Sequence, residues 1–408
     1  CPPYEHYGLI FHTATKLTSK NYRQFTNFIK KTVKVQVSLR HPLNMEDAGK
    51  SSRMTYGNYL RLEEMLTLQD GPEGYLPEPC NDEKHFIIVH QAFELWFKLV
   101  LSELKEVHSL MNSQNISENS MPKIVHHLDR VSTVFGLMSQ QWKVMETLTP
   151  QDFLSFRDRL GTSSGFESWQ LRQIEIILGL EQQQRDAGMD PLSHMKKLEK
   201  EGKISPIMLT EFEEMINSPS LNKLLNDWLS RTPINGSLPS DSNDEQIVSD
   251  YIESHLDAMK THSEMVISHF KSIGHGDDST LGDRLNKSIL GAREFLLPNE
   301  KPNRARAGLL FIESYRELPL LSWPTALIDS FVELEESILL FRNSHARMVE
   351  RMIGRRMGTG GSSGVDYLDA TLKYRIFVDL WAVRTILVKR DLLPDVTKSD
   401  YYGFNSQV

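Results

Sequence analysis

The sequence contains little cysteine, and this scarcity excludes two classes of small protein. Only Cys1 and Cys80 are present among 408 residues, which is too few for a disulfide framework and lacks the spacing of a zinc site. Because disulfides are rare in reducing compartments, the composition predicts an intracellular, cytoplasmic protein. The start of the chain, CPPYEHYGLI, has neither a basic leader nor a long apolar region, so no signal peptide is predicted.

Long apolar runs and dense basic segments are also missing. The most apolar stretch, residues 86–101, is interrupted by His90, Gln91, Glu94 and Lys98, so it does not predict a transmembrane helix. The formal net charge is −8, and without a Lys/Arg-rich face the sequence argues against a nucleic-acid partner. With 39% hydrophobic and 25% charged residues, the composition is that of a globular protein with a large core in one or two domains.

What the sequence does contain is helical periodicity. Apolar residues recur at intervals of three and four almost everywhere between turn-rich segments, whereas the alternation typical of strands is missing. The prediction is therefore an all-α fold, a bundle of helices of roughly 20–30 residues with short connections. The turn-rich segments that would separate the helices are 71–82, 232–245, 274–283 and 297–308.

Two predicted helices carry a histidine on their apolar face. His90 lies on the face formed by Phe86, Phe93 and Phe97, and His345 occupies one position of a second apolar seam. A neutral imidazole there must satisfy one donor and one acceptor nitrogen. Each histidine alone is consistent with a core residue bonded to a carbonyl. Two of them on two long helices also suggest a haem or metal site between the helices. The other residues of the second seam are Phe331, Leu334, Ile338, Phe341, Met348 and Met352.

The glycine-rich loop at residues 358–364, Gly-Thr-Gly-Gly-Ser-Ser-Gly, follows the second of these helices. A phosphate-binding P-loop would end in Gly-Lys-Ser/Thr, but here Val365 and Asp366 follow. A dinucleotide fingerprint would follow a strand, and this loop follows a helix. Two interpretations remain. The exposed amides and hydroxyls can approach an anionic or zwitterionic small molecule closely, or the loop is a flexible linker between helices.

A second loop of the same chemistry follows Arg157. The segment from Phe153 to Glu175 places this arginine on a short helix, just before Gly-Thr-Ser-Ser-Gly at residues 161–165. A guanidinium is a planar donor suited to a carboxylate. Asp158 and Arg159 equally allow a surface ion-pair cluster, and taken alone this second interpretation is favoured.

Four blocks of the sequence together resemble the tryptophan 2,3-dioxygenase family. Their distinctive elements are HQAFELWFK, FRDRL followed by a Ser-Ser-Gly-Phe loop, and GTGGSSG, in the order that the family has them. The resemblance extends through YRIFVDLWAVRT and covers roughly residues 55–390, with a more variable middle around 185–320. The four blocks are residues 56–66, 85–104, 148–175 and 345–368.

The resemblance implies a fold, a reaction and a cofactor. It implies one helical catalytic domain around a haem pocket over residues 55–390, with a poorly interpretable N-terminal extension at 1–54 and a C-terminal tail at 391–408. Family members use haem b to insert both atoms of O2 across the C2–C3 bond of the L-tryptophan indole. The product is N-formyl-L-kynurenine, and the reaction opens tryptophan catabolism by the kynurenine pathway. The resemblance also implies a homotetramer, a dimer of dimers.

The resemblance further implies roles for individual residues. His345 would be the axial ligand of the haem iron, with Ser164 and Gly165 also at the cofactor. His90 would be the distal catalytic histidine near the indole N–H, and Arg157 would pair with the substrate carboxylate. Thr359 would contact the ammonium and carboxylate of tryptophan, and Tyr56 and Tyr59 would reach into the site of a neighbouring subunit. The pocket walls around the indole would be Phe86, Phe153 and Leu160.

Two alternatives stay open from the sequence. A haem-dependent monooxygenase that acts on another indole would keep the same haem ligand and pocket. A non-catalytic haem or ligand sensor, or a helical interaction module, would need no substrate chemistry at all.

Overall fold

The computed structural model describes seven segments: residues 54–71, 78–113, 116–161, 163–181, 190–274, 279–358 and 364–403. These residues belong to two compact units, which divide between Leu68 and Gln69. The predicted extension at 1–54 falls almost wholly outside the described residues, and the boundaries at 54/55 and 390/391 stay predictions. Within the described segments, no helix is long and apolar enough to cross a membrane.

The predicted all-α class is confirmed. The described residues contain helices and one isolated bridge between Ile234 and Ser237, with no strand among them. The first unit contributes α1 (Tyr56–Leu60) and α2 (Leu62–Met65). The long helices of the second unit are α3 (Asn81–Met111), α4 (Met121–Met145), α10 (Asp244–Ser272) and α13 (Ser322–Ile353). Their lengths of 31, 25, 29 and 32 residues are close to the expected range of roughly 20–30, whereas the remaining helices of this unit are shorter than expected.

Shorter helices connect the long ones and outnumber them in the second unit. They are α5 (Pro150–Phe156), α6 (Trp169–Leu178), α7 (Pro191–Lys200), α8 (Pro206–Asn217), α9 (Leu221–Leu229), α11 (Ser279–Leu296), α12 (Arg304–Ser314), α14 (Val365–Thr371) and α15 (Val378–Thr385). Helix α12 begins inside the segment predicted as a turn-rich break at 297–308. The reason is local: the Asn303 side chain accepts a hydrogen bond from the Arg306 amide at 3.1 Å and caps the helix.

The core of the second unit forms where α3, α4 and α13 pack together. Phe341 of α13 contacts Phe97 of α3 and Phe135 of α4 edge-on, with ring centroids 6.1 and 5.6 Å apart. All three rings are buried, and burying one phenylalanine side chain stabilises a fold by about 1.5–3 kcal/mol. The packing fixes the rotation of α13, so the side chain one turn beyond Phe341 faces a defined direction.

A buried carboxylate ties the C-terminal part of the chain to α13. Glu335 is 2% exposed, and it accepts hydrogen bonds from the Ile376 and Phe377 amides and from the Trp381 indole N–H. A buried charge is stable only when it is well hydrogen-bonded, and three donors meet that condition. Glu335 thereby holds the segment before α15 against α13.

The predicted C-terminal tail packs in part against the same core. Tyr402 is 1% exposed, and its hydroxyl donates to the Pro233 carbonyl at 2.8 Å and accepts from the Gly236 amide at 2.9 Å. The polar segment at 232–245 is therefore held in place by the end of the chain.

Candidate active site

A cavity in the second unit lies among α3, α5, α6, α13 and α14. It encloses about 240 Å³, whereas a single water requires roughly 10–15 Å³. Most of its wall is apolar, and the larger apolar contributors are Phe86, Phe135, Phe153, Ile338, Phe341 and Met348. A cavity of this kind, with a few polar side chains converging on it, is the usual setting for a small organic ligand.

His345 faces this cavity from α13, one turn beyond Phe341. Its ring stacks on the indole of Trp142, with centroids 4.5 Å apart and planes 13° apart. Burial, with a smaller contribution from nearby His90, lowers the pKa of His345 to about 4. The ring is therefore neutral near pH 7, which is the form that binds a metal. Among the described residues, its ring nitrogens have no hydrogen-bond partner.

His90 faces the same cavity from α3, and it lies on the apolar face of that helix that the sequence predicted. Its Nδ1 lies 2.7 Å from the Phe86 carbonyl oxygen. Because a carbonyl can only accept, Nδ1 carries the proton, and Nε2 of the neutral ring is left with a lone pair. Burial lowers the pKa of His90 despite the opposing effect of this backbone bond. The histidine is therefore a neutral hydrogen-bond acceptor at Nε2.

Aromatic rings form one wall of the cavity next to His90. Phe86 and Phe153 line the cavity, and Phe156 packs against both of them without lining it. The ring centroid of Phe86 lies 4.0 Å from that of His90, 5.9 Å from that of Phe153 and 5.8 Å from that of Phe156. Helix α5 supplies the last two rings; it begins at Pro150 because the Thr149 side chain accepts from the Asp152 amide and caps the first turn. This wall suits the face of a planar aromatic ligand.

Arg157 is partly exposed and lies at the mouth of the cavity, on the short 3₁₀ turn Arg157–Leu160 that follows α5. It lines the cavity, and its Nη2 donates to the Met357 carbonyl from the opposite side. Ser164 and Gly165 line the cavity as well. The structure thus places the second Gly-Thr-Ser-Ser-Gly loop partly on the cavity surface, where the sequence alone favoured a surface ion-pair cluster for Arg157.

The ends of the first glycine-rich loop also line the cavity. Gly358 and Gly364 contribute to its wall, while Thr359 lies outside the described residues. Gly364 has φ of +59°, and a Cβ there would lie 2.8 Å from the Arg356 carbonyl oxygen. Only glycine fits this close approach without strain. The predicted contact of Thr359 with substrate stays a prediction.

Three other predicted site residues are not among those that line this cavity. Leu160 packs against the hydrophobic core beside the cavity. Tyr56 and Tyr59 belong to the first unit and are 76% and 75% exposed. Their predicted role concerns a neighbouring subunit.

Four residues that the sequence did not single out belong to the site. Arg172, Glu175 and Arg342 line the cavity, and Trp142 supports the His345 ring from behind. The sequence does contain a signal for the three charged residues, because each lies on a helix face that is otherwise apolar or carries a site histidine. Arg172 and Glu175 lie three residues apart on an otherwise apolar face of α6, and Arg342 lies three residues before His345 on α13.

The residues present fit a haem better than a bare metal ion. Among the described residues, no group of three or more His, Cys, Asp or Glu side chains could hold a metal ion. An iron held by His345 would therefore take its other ligands from a porphyrin. The apolar walls agree with that donor set, as does the neutral imidazole of His345, whose nitrogens accept and donate no hydrogen bond within the described part of the chain.

Comparison with known proteins agrees with the family resemblance of the sequence motifs. The family model described as tryptophan 2,3-dioxygenase matches residues 43–387. "Tryptophan 2,3-dioxygenase 2" of Ralstonia nicotianae is 40% identical over 365 residues, 86% of this chain and 98% of the relative. The tryptophan 2,3-dioxygenase of Sorangium cellulosum is 41% identical over 86% of this chain and 87% of its own. That of Aedes aegypti is 32% identical over 87% and 91%.

Proposed function

Because this chain belongs to the tryptophan 2,3-dioxygenase family, we propose that it inserts O2 across the C2–C3 bond of L-tryptophan. The product is N-formyl-L-kynurenine, and the reaction is the first step of tryptophan catabolism by the kynurenine pathway. One structural observation carries the proposal: three different segments bring His345, His90 and Arg157 to the same apolar cavity. These are the three side chains needed to hold a cofactor, an indole N–H and a carboxylate.

Haem b is the proposed cofactor, with His345 as its axial ligand. When bound, the haem iron supplies the activation of O2 that no amino-acid side chain provides. The neutral state of His345 supports this assignment, because an imidazole must be unprotonated to bind iron. Stacking on Trp142 limits rotation of the ring. Ser164 and Gly165 are proposed to contact the cofactor from the 161–165 loop.

The substrate is proposed to lie against the aromatic wall, with its indole near His90. The lone pair on His90 Nε2 accepts a hydrogen bond from the indole N–H and orients the C2–C3 edge. Removal of the indole proton is not required for addition to the ring, so His90 acts mainly by positioning. Phe86 and Phe153 are the proposed walls that exclude water from the reacting atoms, and Leu160, which packs on the core beside the cavity, is proposed to support them.

The amino-acid end of tryptophan is proposed to bind at the mouth of the cavity. Arg157 pairs with the carboxylate, since a guanidinium can donate two parallel hydrogen bonds to it. Thr359 of the glycine-rich loop is proposed to contact both the ammonium and the carboxylate. A homotetramer is also proposed, in which Tyr56 and Tyr59 reach the site of a neighbouring subunit, and the location is proposed to be cytoplasmic.

Haem binding is tested by absorption spectroscopy of the purified protein after haem is added. We expect a Soret band in the wild type and the loss of most of it in His345→Ala, because no other described histidine besides His90 faces the cavity. His269→Ala is the matched control, since His269 is exposed on α10. A full Soret band in His345→Ala would contradict the assignment of the ligand.

Activity is tested with reduced, haem-loaded protein, L-tryptophan and O2, by the absorbance of N-formylkynurenine. We expect Arg157→Ala to weaken the interaction with tryptophan by roughly 2–5 kcal/mol, the range for truncating one partner of a charge pair. Tryptamine, which lacks the carboxylate, should be affected far less by the same change. Turnover of another indole without any product from tryptophan would instead indicate a monooxygenase.

A further inference from the structure

The charged side chains on the cavity wall do not balance. Among the described residues that line it, Arg157, Arg172 and Arg342 are cationic and Glu175 alone is anionic. With both histidines neutral, the wall carries a formal surplus of two positive charges. Uncompensated charge next to an apolar, poorly hydrated space is unfavourable. Arg157 has a proposed anion, the substrate carboxylate, whereas the two arginines deeper in the wall, Arg172 and Arg342, share the single carboxylate of Glu175.

Arg172 is the more deeply buried member of this pair. It is 7% exposed, and its Nη1 lies 3.1 Å from Oε2 of Glu175, one turn along α6. Arg172 also donates a hydrogen bond to the hydroxyl oxygen of Tyr367, and burial raises the pKa of that hydroxyl. The Nε–H of Arg172 is buried and has no acceptor among the described residues. A guanidinium has five N–H donors, so this side chain retains capacity for a further acceptor.

Arg342 shares the same carboxylate from α13. Its Nη2 lies 3.1 Å from Oε1 of Glu175, its Nη1 donates to the Thr371 carbonyl at 3.4 Å, and its guanidinium lies 5.1 Å from the centre of the Tyr374 ring. The two guanidiniums and the one carboxylate form a cluster with a net charge of about +1, fixed on both sides by helices. We call Arg172, Glu175 and Arg342 the cationic cluster.

We propose that the cationic cluster binds a propionate carboxylate of the haem. The inference rests on the proposed haem site and adds the orientation of the porphyrin within it. Arg342 precedes His345 by three residues, so it lies on the same face of α13, about 4.5 Å away along the helix axis. A carboxylate on the porphyrin rim would neutralise the cluster and give the Arg172 Nε–H an acceptor. Arg157, at the mouth, would remain for the substrate.

The test compares haem with haem dimethyl ester, in which both propionates are neutral. Each is titrated into purified apoprotein and followed by the Soret band, which requires no catalytic activity. We expect the wild type to bind haem at least about tenfold more tightly than the ester, the effect of one charged hydrogen bond. Arg172→Met and Arg172→Gln should lose most of this preference, and Arg172→Lys, which keeps the charge, should retain much of it.

The matched control is Arg306→Met. Arg306 is also a partly buried arginine in an ion pair, with Asp379 at 2.9 Å, but it does not line the cavity. Its removal should leave the preference for haem over the ester unchanged. Because Gln retains a donor for Glu175, the Gln variant keeps the test valid if the Met variant does not fold, as judged by circular dichroism.

Two results would overturn the inference. If both neutral variants keep the tenfold preference, the cluster does not hold the propionate. If they change the discrimination between tryptophan and tryptamine instead, the cluster binds the substrate carboxylate. If Arg157→Ala is the only variant that loses the discrimination between tryptophan and tryptamine, Arg157 binds the substrate carboxylate and the cationic cluster does not. If the wild type gives no Soret band with either porphyrin, the haem site itself is rejected. If it binds haem and the ester with equal affinity, only the proposed contact with the propionate is rejected.

Discussion

Two largely buried arginine sites in the second unit differ in how completely their donors are used. Arg304 donates through Nε and Nη2 to both oxygens of Asp244, and it also donates to the carbonyls of Ser230, Thr232 and Ser237. These five bonds use all five N–H groups of the guanidinium. In the cationic cluster, two guanidiniums share one carboxylate, and a buried Nε–H has no acceptor among the described residues.

The difference separates a structural arginine from one available to a ligand. Arg304 pins the polar segment 232–245 to the start of α12, and nothing further can bind to it without breaking a bond. The cationic cluster borders a cavity and has charge left over. We infer that the donor balance of a buried arginine distinguishes the two uses better than burial does, because the side chains of Arg304 and Arg172 are 15% and 9% exposed.

Breaking the saturated site should have the largest effect on stability. We expect Arg304→Met to lower the free energy of unfolding by roughly 3–5 kcal/mol, because Asp244 would remain buried without its charge partner. Urea unfolding monitored by circular dichroism measures this loss. The preference for haem over its dimethyl ester should not change in this variant, provided that the measurement is made where the protein is folded.

Arg306→Met is the comparison for that experiment. Its ion pair with Asp379 is more exposed, at 28% and 24% for the two side chains, so the loss should be clearly smaller. An equal loss in the two variants would mean that neither burial nor saturation of the donors sets the energetic importance of these arginines.

The sequence predicted the elements of the site much better than this division of roles. Periodicity placed His345 on a seam, and the structure buries its neighbours Phe341 and Met348 as expected. A stripe of apolar residues at three and four reports only which side of one helix faces the core. For that reason it also placed His90 correctly on the inner side of α3.

The partners of Arg172 and Arg304 could not be predicted in this way. Glu175 and Arg342 are 167 residues apart in sequence, and Arg304 and Asp244 are 60 apart. Each pairing depends on the angle at which two helices pack, which no local pattern contains. Arg157 shows the same limit: its immediate neighbours Asp158 and Arg159 suggested a surface cluster, while its contact with Met357 comes from a loop 200 residues later.

Acidification should produce an intermediate effect away from the cavity. His255 on α10 is fully buried, its Nε2 donates to the Ile386 carbonyl at 2.8 Å, and Nδ1 has no partner among the described residues. Burial lowers its pKa from the usual 6.5, against the smaller effect of the bond to Ile386. Below pH 6.5 the unfolded chain therefore binds a proton that the folded protein does not. The free energy of unfolding consequently decreases as the pH is lowered.

The contribution of His255 is isolated by comparison with His255→Gln, which can still donate to Ile386 but does not titrate. We expect the wild type to lose up to about 1.4 kcal/mol per pH unit relative to this variant below pH 6.5, the limit for one proton. Haem-loaded protein should be used, so that His345 is occupied in both. Parallel pH profiles of unfolding for the two proteins would show that the His255 ring takes up a proton without cost.

The smallest effect is expected where an ion pair is exposed. Arg355 and Asp366 flank the glycine-rich loop, with Nη1 2.6 Å from Oδ1, and their side chains are 70% and 56% exposed. Solvent screening leaves such pairs with little net energy, so Asp366→Asn should change the free energy of unfolding by less than about 0.5 kcal/mol. The same variant should leave the affinity for tryptophan almost unchanged, since the proposed carboxylate partner is Arg157. The free energy of unfolding of this variant is measured at low and at high salt. A loss above about 1 kcal/mol would mean that this exposed pair stabilises the loop as strongly as a buried contact. The exposure of these charged sites would then not predict their contribution to stability.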